Sequence, residues 1–390
     1  MKIDFFNPRS IILFICILQG VIFAGLLLAR GRRRRSLSDI WLAVILLVMC
    51  SGLITAFVGF ASVYNFYQGL TYFPFEMVFA LAPCIYLYVR SLTNAERRFQ
   101  KSDLRHFIPT AIYLVYRFII FSQDLGFKDW YDDRVQVPLV QPVQNTALFI
   151  WNAVYIFLSV RHYYNYRKWL DQHFSNTVNI EFDWLRNFLV LFSFLLVISA
   201  AFDLTGSFIV KLSYRQIFYY EVVLACLTYY LAVAGYLRSG TVLLNYEPGI
   251  TREEGRQEVE AAVRRDQAKK KGAAGRPDLE SLKARLEKLM RSEKPFLEPE
   301  LTLTELSRMM GVNPGALSYV LNSGFGRNFN DFVNEYRIEE CKERIDAGTG
   351  GLSLLGVAFE CGFNSKATFN RAFKKFTGVP PSSFGASRSM

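Results

Sequence analysis

The sequence predicts an all-α protein in which an apolar helical bundle precedes a soluble helical domain. Hydrophobic residues make up 52% of the 390 residues, and long apolar stretches recur up to about residue 237. A strongly charged stretch without aromatic residues follows over 252–278. Beyond it, apolar residues return at helical spacing between capping residues. These shifts divide the chain into a membrane part (1–238), a charged linker (239–278) and a soluble domain (279–390).

Seven apolar stretches in the first part approach the length of about 20 residues with which a helix crosses a bilayer. They cover residues 10–29, 39–60, 72–90, 107–122, 144–160, 184–210 and 216–237. The first is not a signal peptide, because Arg30 and Arg32 to Arg35 follow it, whereas a signal peptide is positively charged before its apolar segment. The sequence therefore predicts a polytopic helical membrane bundle of about seven spans.

The distribution of Lys and Arg predicts how this bundle is oriented. The loops after the first, third and fifth spans contain thirteen basic residues, whereas the loops on the opposite side, with the N-terminus, contain six. Basic residues accumulate on the cytoplasmic side of a membrane. We therefore expect the N-terminus outside and the soluble domain in the cytoplasm. Most of the net charge of +11 then reflects membrane topology.

Four ionisable residues lie inside the predicted spans, namely Glu76, Arg117, Asp203 and Glu221. An ionisable side chain at the bilayer centre costs about 2.5–3.5 kcal/mol, so each should face the bundle interior or a cavity. They are candidates for a site that senses a signal ligand, or for a paired-charge switch. The alternatives are a structural ion pair and a position near a membrane interface.

The soluble domain contains the same structural unit twice. Thr302 begins a helix with a capping-box pattern, Gly311 ends it, and Asn313 with Pro314 begins the next helix. The order recurs in SLLGVAFEC, Gly362 and NSKATFNRAFKKF, and the two glycines lie 51 residues apart. Two short helices around a glycine turn are typical of a helix-turn-helix. The repeat therefore predicts a cytoplasmic, all-α, bipartite helix-turn-helix domain.

A predicted helix over residues 328–347 joins the two units. At a rise of 1.5 Å per residue, its length is about 30 Å. Successive major-groove faces on one side of a DNA duplex lie about 34–36 Å apart. The helix is thus long enough to hold two recognition helices one turn apart on the same DNA face.

The second recognition helix has an apolar and a polar face. The apolar stripe, which should pack in the core, consists of Phe369, Ala372, Phe373 and Phe376. The candidate DNA-binding residues opposite are Lys366, Ala367, Asn370, Arg371, Lys374 and Lys375. Arg and Lys pair with guanine and Asn with adenine, and lysines also neutralise phosphates. A polar face of this kind can be merely solvated, but no Asp or Glu follows Glu360, which favours DNA contact. The candidates in the first unit are Gly315, Ala316 and Tyr319.

Two segments carry a family resemblance, EPELTLTELSRMMGVNPGALSYVLNSGFGRNFNDFVNEYRIEECKERI and VAFECGFNSKATFNRAFKKFTGVPPSSF. They resemble the first half and the C-terminal signature of the DNA-binding domain of AraC/XylS-type transcription regulators, over about residues 283–385. The resemblance implies seven helices, with two recognition helices in adjacent major-groove segments. Gly385, Thr368 and Tyr319 replace an Arg, an aromatic and a frequent basic residue of the family. These departures concern affinity and base preference, not the fold.

The membrane part is similar to the N-terminal regions of membrane-bound bacterial regulators of this type. The similar segments are LQGVIFAGLLLARGRRRRSLSDIWLAVILL, FALAPCIYLYVRSLT and RHFIPTAIYL. The similarity implies a one-component transcription regulator in the bacterial inner membrane, which senses a signal and binds promoter DNA. Its expected partners are double-stranded promoter DNA, the lipid bilayer, an unknown signal ligand, a second copy of the chain and RNA polymerase.

Other functions are less consistent with the sequence. The alternative is a transporter or receptor with a purely regulatory tail, but no inverted repeat or paired Gly/Pro-interrupted spans support it. An enzyme is not expected, because His106, His162 and His173 have no Cys or Asp cluster or phosphate-binding glycine motif beside them. The six cysteines lack metal-site spacing, so neither a metal nor a cofactor is expected. Helix movement, dimerisation and proteolytic release at 239–278 all stay open as routes for the signal.

Overall fold

The structure, a computed structural model, is helical throughout its described residues, which are 7–94, 97–176, 183–204, 214–237, 279–348 and 351–386. The one β feature among them is an isolated antiparallel bridge between Phe174 and Thr302. The all-α prediction is therefore confirmed for these residues. The predicted linker 239–278 lies outside them.

The chain divides into two compact units by its internal contacts. The first unit combines Met1–Tyr164 with Phe182–Tyr246, and the second combines Asn165–Glu181 with Glu247–Met390. The prediction placed residues 165–176 in the membrane part, whereas the structure groups these residues with the C-terminal domain. Local composition carries no information on this grouping, because it depends on contacts between residues far apart in the chain.

The described residues before position 238 contain eight α-helices. They are α1 Pro8–Arg34, α2 Leu37–Phe60, α3 Leu81–Thr93, α4 Ile108–Phe121, α5 Leu125–Tyr131, α6 Gln141–His173, α7 Asp183–Leu204 and α8 Tyr214–Leu237. Helix α1 begins at Pro8, where the side chain of Asn7 accepts hydrogen bonds from two backbone amides. In the first unit, α2 packs against α1, α3 and α8.

Six helical stretches among the described residues are long and apolar enough to cross a membrane. They are Pro8–Arg34, Leu37–Phe60, Lys101–Phe121, Leu125–His173, Trp184–Phe202 and Phe218–Leu237. Each overlaps one of the seven predicted spans. The stretch Leu125–His173 is much longer than the predicted fifth span, because α5 continues through a π-helical segment, Asp132–Val140, into α6.

The third predicted span, residues 72–90, is not one continuous helix, and the predicted count of seven spans is not confirmed. Helix α3 begins only at Leu81. Tyr72 adopts a left-handed φ of 67°, and Pro74 disfavours a helical conformation at the residue before it. The 13 residues of α3 extend over about 20 Å, which is less than the hydrocarbon thickness of about 30 Å.

Arg30 connects the ends of three helices in the first unit. Its guanidinium makes two hydrogen bonds of 2.8 Å to the carboxylate of Asp39 near the start of α2. It also donates to the carbonyl oxygens of Gly235 and Tyr236 in the last turn of α8. Carbonyls at a helix C-terminus lack partners within the helix, so Arg30 satisfies them and fixes the end of α8 against α1.

The described residues after position 278 contain seven α-helices, the number that the family resemblance implies. They are α9 Leu279–Ser292, α10 Leu303–Met310, α11 Pro314–Tyr319, α12 Phe329–Asp346, α13 Leu354–Glu360, α14 Lys366–Thr377 and α15 Pro381–Ala386. A π-helical segment, Val320–Gly324, extends α11. The pairs α10–α11 and α13–α14 are the two predicted helix-turn-helix units, and α12 is the predicted joining helix.

The capping residues predicted from the sequence are confirmed. The Thr302 hydroxyl accepts a hydrogen bond from the Glu305 amide at 3.2 Å, and the Glu305 carboxylate accepts one from the Thr302 amide at 2.8 Å. At the start of α11, Asn313 Oδ1 accepts from the amide of Ala316 at 2.6 Å. These bonds satisfy amides that have no partner within the helix, and they define where α10 and α11 begin.

Helix α12 contributes to both hydrophobic cores of the domain. Phe332 and Val333, in its first half, pack in the core of the first helix-turn-helix. Ile338 and Cys341, in its second half, pack in the core of the second. Burial of side chains of this size contributes about 1.5–3 kcal/mol each. Because one rigid helix carries residues of both cores, it sets the distance between the two units.

Two turns of the second unit use glycine at positive φ for different reasons. Gly362, between α13 and α14, has a φ of 91°, and Gly378, at the end of α14, has a φ of 79°. A Cβ at Gly362 would lie 2.4 Å from the carbonyl oxygen of Phe296, whereas a Cβ at Gly378 would have no described atom within 4 Å. Only Gly362 therefore allows a second chain segment to approach closely.

We predict that Gly362→Ala destabilises the domain more than Gly378→Ala. Both substitutions should cost about 1–2 kcal/mol of backbone strain, because both positions are left-handed. Gly362→Ala should cost more, since it also displaces the Phe296 backbone. Amide hydrogen exchange of residues 354–377 in the full-length protein in detergent, read as the free energy of opening, measures both values. Equal losses in the two variants would contradict the close approach at Gly362.

Candidate nucleic-acid interface

Helix α14 has a buried apolar face and an exposed polar face. The Ser365 hydroxyl caps it by accepting hydrogen bonds from the amides of Ala367 at 3.2 Å and Thr368 at 3.4 Å. Phe369 and Phe373 are buried in the second core. The exposed residues are Lys366, Ala367, Asn370, Arg371, Lys374 and Lys375. The predicted division into two faces is thus confirmed, while contact of these residues with DNA stays a prediction.

The exposed face of α14 is basic. The helix contains three lysines and one arginine and no acidic residue. Lys375 forms an ion pair with Asp331 of α12 at 2.6 Å, so part of its charge is used within the domain. Lys366 and Lys374 are both exposed to solvent. A helix of this charge attracts the phosphates of a nucleic-acid backbone.

The first unit does not present the face that the sequence predicted. Gly315 and Ala316 are buried, with Ala316 only 4% exposed, and Tyr319 is half-buried. The buried run extends over three consecutive residues, from Gly315 to Leu317, so the exposed side of this helix is left to Pro314, Ser318 and Tyr319. The expectation that Gly315 and Ala316 lie on an exposed face is therefore wrong. DNA contact by Tyr319 stays a prediction.

Arg337 of α12 is an important residue that the sequence analysis did not identify. Its side chain is fully buried, and it donates from Nε to the carbonyl of Phe296 and from a terminal nitrogen to the carbonyl of Glu298, each at 2.7 Å. Burial lowers the pKa of Arg337 to about 10, so the guanidinium remains charged at neutral pH. One sequence feature could have indicated that Arg337 is buried. It lies midway between the core residues Val333 and Cys341, four residues from each, on the apolar face of the helix.

Glu340, about one turn further along α12, makes a second set of polar contacts that hold this helix. Its carboxylate accepts hydrogen bonds from Lys294 at 2.7 Å and from Arg344 at 3.0 Å. Burial raises the pKa of Glu340, but these two cations outweigh burial and hold the pKa below its usual value. The carboxylate is therefore ionised at neutral pH and joins α12 to the turn that follows α9.

In the first unit, the structure brings Glu76 and Glu221 together. Both line a cavity of about 520 Å³, together with Thr55 and Tyr64. One carboxylate oxygen of Glu221 is buried without a hydrogen-bond partner among the described residues. Arg117 lies over the ring of Tyr72, at 4.8 Å from its centroid, and also interacts electrostatically with Glu76. The remaining candidate, Asp203, has its side chain outside the described part of the chain.

Each of the three histidines has a hydrogen-bond partner. His106 is 2.7 Å from the hydroxyl of Tyr155, and His162 is 2.8 Å from the hydroxyl of Thr93. His173 is 2.8 Å from the carbonyl oxygen of Trp169. Within the described ranges, no three His, Cys, Asp or Glu side chains are grouped so that they could hold a metal ion.

Comparison with known proteins finds a family similarity in the C-terminal part of the chain. Residues 306–387 match a family model described as a helix-turn-helix domain. An uncharacterised HTH-type transcriptional regulator of Staphylococcus aureus strain COL is 34% identical over 89 residues, which are 23% of this chain and 12% of that protein. The uncharacterised HTH-type transcriptional regulator YtdP of Bacillus subtilis strain 168 is 29% identical over 87 residues, which are 22% of this chain and 11% of YtdP.

These matches cover only about one eighth of the length of the relatives. No solved structure matches the chain. The matched residues include both units, from the middle of α10 to the end of α15. The C-terminal part of the chain is therefore a helix-turn-helix domain of the AraC type, shared with proteins named as transcriptional regulators.

Proposed function

We propose that the chain is a membrane-anchored, one-component transcription regulator of the bacterial inner membrane. In this proposal, the C-terminal domain binds promoter DNA in the cytoplasm, and the first unit anchors the protein and senses a signal. A second copy of the chain and RNA polymerase are its further partners. The observation that carries the DNA-binding part is the exposed basic face of α14, opposite a fully packed apolar face.

The arrangement of α12 supports simultaneous contact of both units with one DNA face. Its 18 residues extend over about 27 Å, and its two halves belong to different cores. We assign base contacts to α14, with Lys366 and Arg371 suited to guanine and Asn370 to adenine. We assign phosphate contacts to Lys374, near the end of α14, and to Tyr319.

The six long apolar stretches support membrane anchoring. For the seventh crossing, we propose that α3 is completed by residues 72–80. Nine extended residues reach up to about 30 Å, and non-helical backbone is tolerated at membrane depth where protein surrounds it. Within this segment Tyr72 and Ala80 are buried, and Phe73 and Met77 present apolar side chains at the surface. Seven crossings and the bias of Lys and Arg together favour an external N-terminus and a cytoplasmic C-terminal domain.

We predict that the full-length protein in detergent selects a preferred sequence from a pool of random DNA duplexes. Asn370→Ala and Arg371→Ala should each reduce the preference for that sequence by about 1–3 kcal/mol, because each loses a contact to a base edge. Lys374→Ala should weaken binding to all sequences alike and lower the salt slope by about 1. Mobility-shift titrations at several salt concentrations measure both effects.

The matched control is Lys288→Ala, which removes an exposed cation from α9, outside the two helix-turn-helix units. This variant should bind the selected duplex as the parent protein does. Equal binding of the selected duplex and bulk DNA by the parent protein would overturn the DNA-binding proposal.

The proposed topology predicts which positions a membrane-impermeant maleimide reaches in intact cells. In a background without the native cysteines, Asp133→Cys should be labelled in intact cells, because it lies between the predicted fourth and fifth spans, on the side of the N-terminus. Arg98→Cys should be labelled only after lysis. Both positions are exposed, so a difference between them reports the side of the membrane. Labelling of Arg98→Cys in intact cells would exclude the proposed orientation.

We further propose that the signal acts through the intramembrane group that includes Glu76 and Glu221. A cavity bordered by two carboxylates favours a ligand with a cationic nitrogen. Glu221→Gln should therefore alter the response of a reporter gene under the selected sequence, without changing the affinity of the purified protein for that sequence. The control Asp129→Asn, on the exposed part of α5, should respond as the parent does. An unchanged response of Glu76→Gln and Glu221→Gln would remove these residues from the sensing site.

A further inference from the structure

Residues 165–176 are part of the same compact unit as the DNA-binding domain. They comprise the end of α6 and the three residues after it. Phe174 forms the antiparallel bridge with Thr302, and Ser175 donates to the carbonyl of Leu301 from its amide at 3.2 Å and from its hydroxyl at 2.7 Å. Ser175 is fully buried. The segment thus runs against the start of the first helix-turn-helix as an integral part of the unit.

Side chains of α12 hold the same segment from the other side. Asn330 Nδ2 donates to the carbonyls of Phe174 at 3.1 Å and Ser175 at 3.0 Å. Arg337 donates to the Ser175 hydroxyl at 3.2 Å. Since Arg337 also binds the carbonyls of Phe296 and Glu298, Ser175 is connected to the group that joins the two helix-turn-helix units.

A polar cleft of about 220 Å³ lies beside this anchor, and α14 forms one of its walls. Arg167 and Asp171, about two turns and one turn before Ser175, line the cleft together with Arg371 and Lys375 of α14. The Asp331 carboxylate, which pairs with Lys375, lines it as well. The carboxylates of Asp171 and Asp331 therefore share a cleft with Arg371 and Lys375, two of the candidate DNA-binding residues. Carboxylate and phosphate are alternative partners for the same Arg and Lys side chains.

We propose that residues 165–176 form an intramolecular strap that competes with DNA for α14. The strap rests on the proposed function, since it presupposes that α14 binds DNA. Asp171 occupies the cleft in place of a phosphate, and the hydrogen bonds of Ser175 hold it there. Residues 165–173 continue α6 from the proposed fifth membrane span, so a movement of that span withdraws the strap and removes Asp171 from the cleft beside Arg371. This links a signal in the membrane to DNA affinity without passing through the linker 239–278.

The test compares the affinity of full-length variants in detergent for the selected duplex. Asp171→Asn keeps the shape of the side chain and removes its charge, and Ser175→Ala removes the hydroxyl that bonds Leu301 and Arg337. Each should bind the duplex about two- to fivefold more tightly than the parent, the range expected for one partly exposed charge pair. The control Asp133→Asn makes the same change in net charge at an exposed position of the first unit and should bind as the parent does.

Hydrogen exchange gives a second, independent measurement. If DNA displaces the strap, amide exchange within residues 165–176 of the parent protein should become faster when the selected duplex is added. Slower exchange would show that the segment supports the DNA-bound state, and it would overturn the proposal even if the domain binds DNA well.

The outcomes separate the strap from the function on which it rests. Unchanged affinity of both variants, with the selected duplex still preferred over bulk DNA, would overturn the strap and leave the proposed function intact. A parent protein without any DNA preference would overturn both. Ser175→Ala can destabilise the domain through Arg337, so its thermal unfolding is measured alongside. Asp171→Asn leaves the hydrogen bonds of Ser175 in place and decides the question if Ser175→Ala unfolds.

Discussion

The C-terminal domain depends on the buried guanidinium of Arg337. A buried cation without partners is strongly destabilising, whereas one that is fully hydrogen-bonded is tolerated. Arg337 obtains its partners from the carbonyls of the turn around Phe296, which holds that turn against α12. Gly362 is needed at the same place, because a Cβ there would meet the Phe296 backbone and Arg337 itself. Arg337 thus joins α12 to the turn that precedes the first helix-turn-helix and lies beside the Gly362 turn of the second.

This joint explains how two small helical units act as one domain. Each has its own core, and neither core is large, but α12 supplies residues to both. Its middle is fixed by the buried Arg337 and by Glu340 with Lys294 and Arg344. The position of α14 relative to α11 therefore follows from a rigid helix and not from a flexible connection. The basic face of α14 is exposed in this arrangement, and the half-buried α11 has a supporting role in the proposed function.

The first unit is organised by different physics. Its helices are apolar around most of their circumference, and polar groups are satisfied where helix ends meet, as at Arg30 with Asp39 and the last carbonyls of α8. Glu76 and Glu221 break this pattern, since they border a common cavity. In the proposed function, this cavity is where a signal ligand binds. In the further proposal, the strap continues the chain of α6 and carries that signal to the cleft beside α14.

Most of the helices, their caps, the repeat and the two faces of α14 could be predicted from the sequence alone. These features depend on residues within a few positions of one another, as in the bonds between Thr302 and Glu305, and periodicity and capping patterns report such local interactions directly. The burial of Gly315 and Ala316, the role of Arg337 and the grouping of residues 165–176 with the domain depend instead on packing between distant residues. Ser175 and Leu301 are 126 residues apart. A contact over such a distance leaves no trace in local spacing, because it arises from how already formed helices pack.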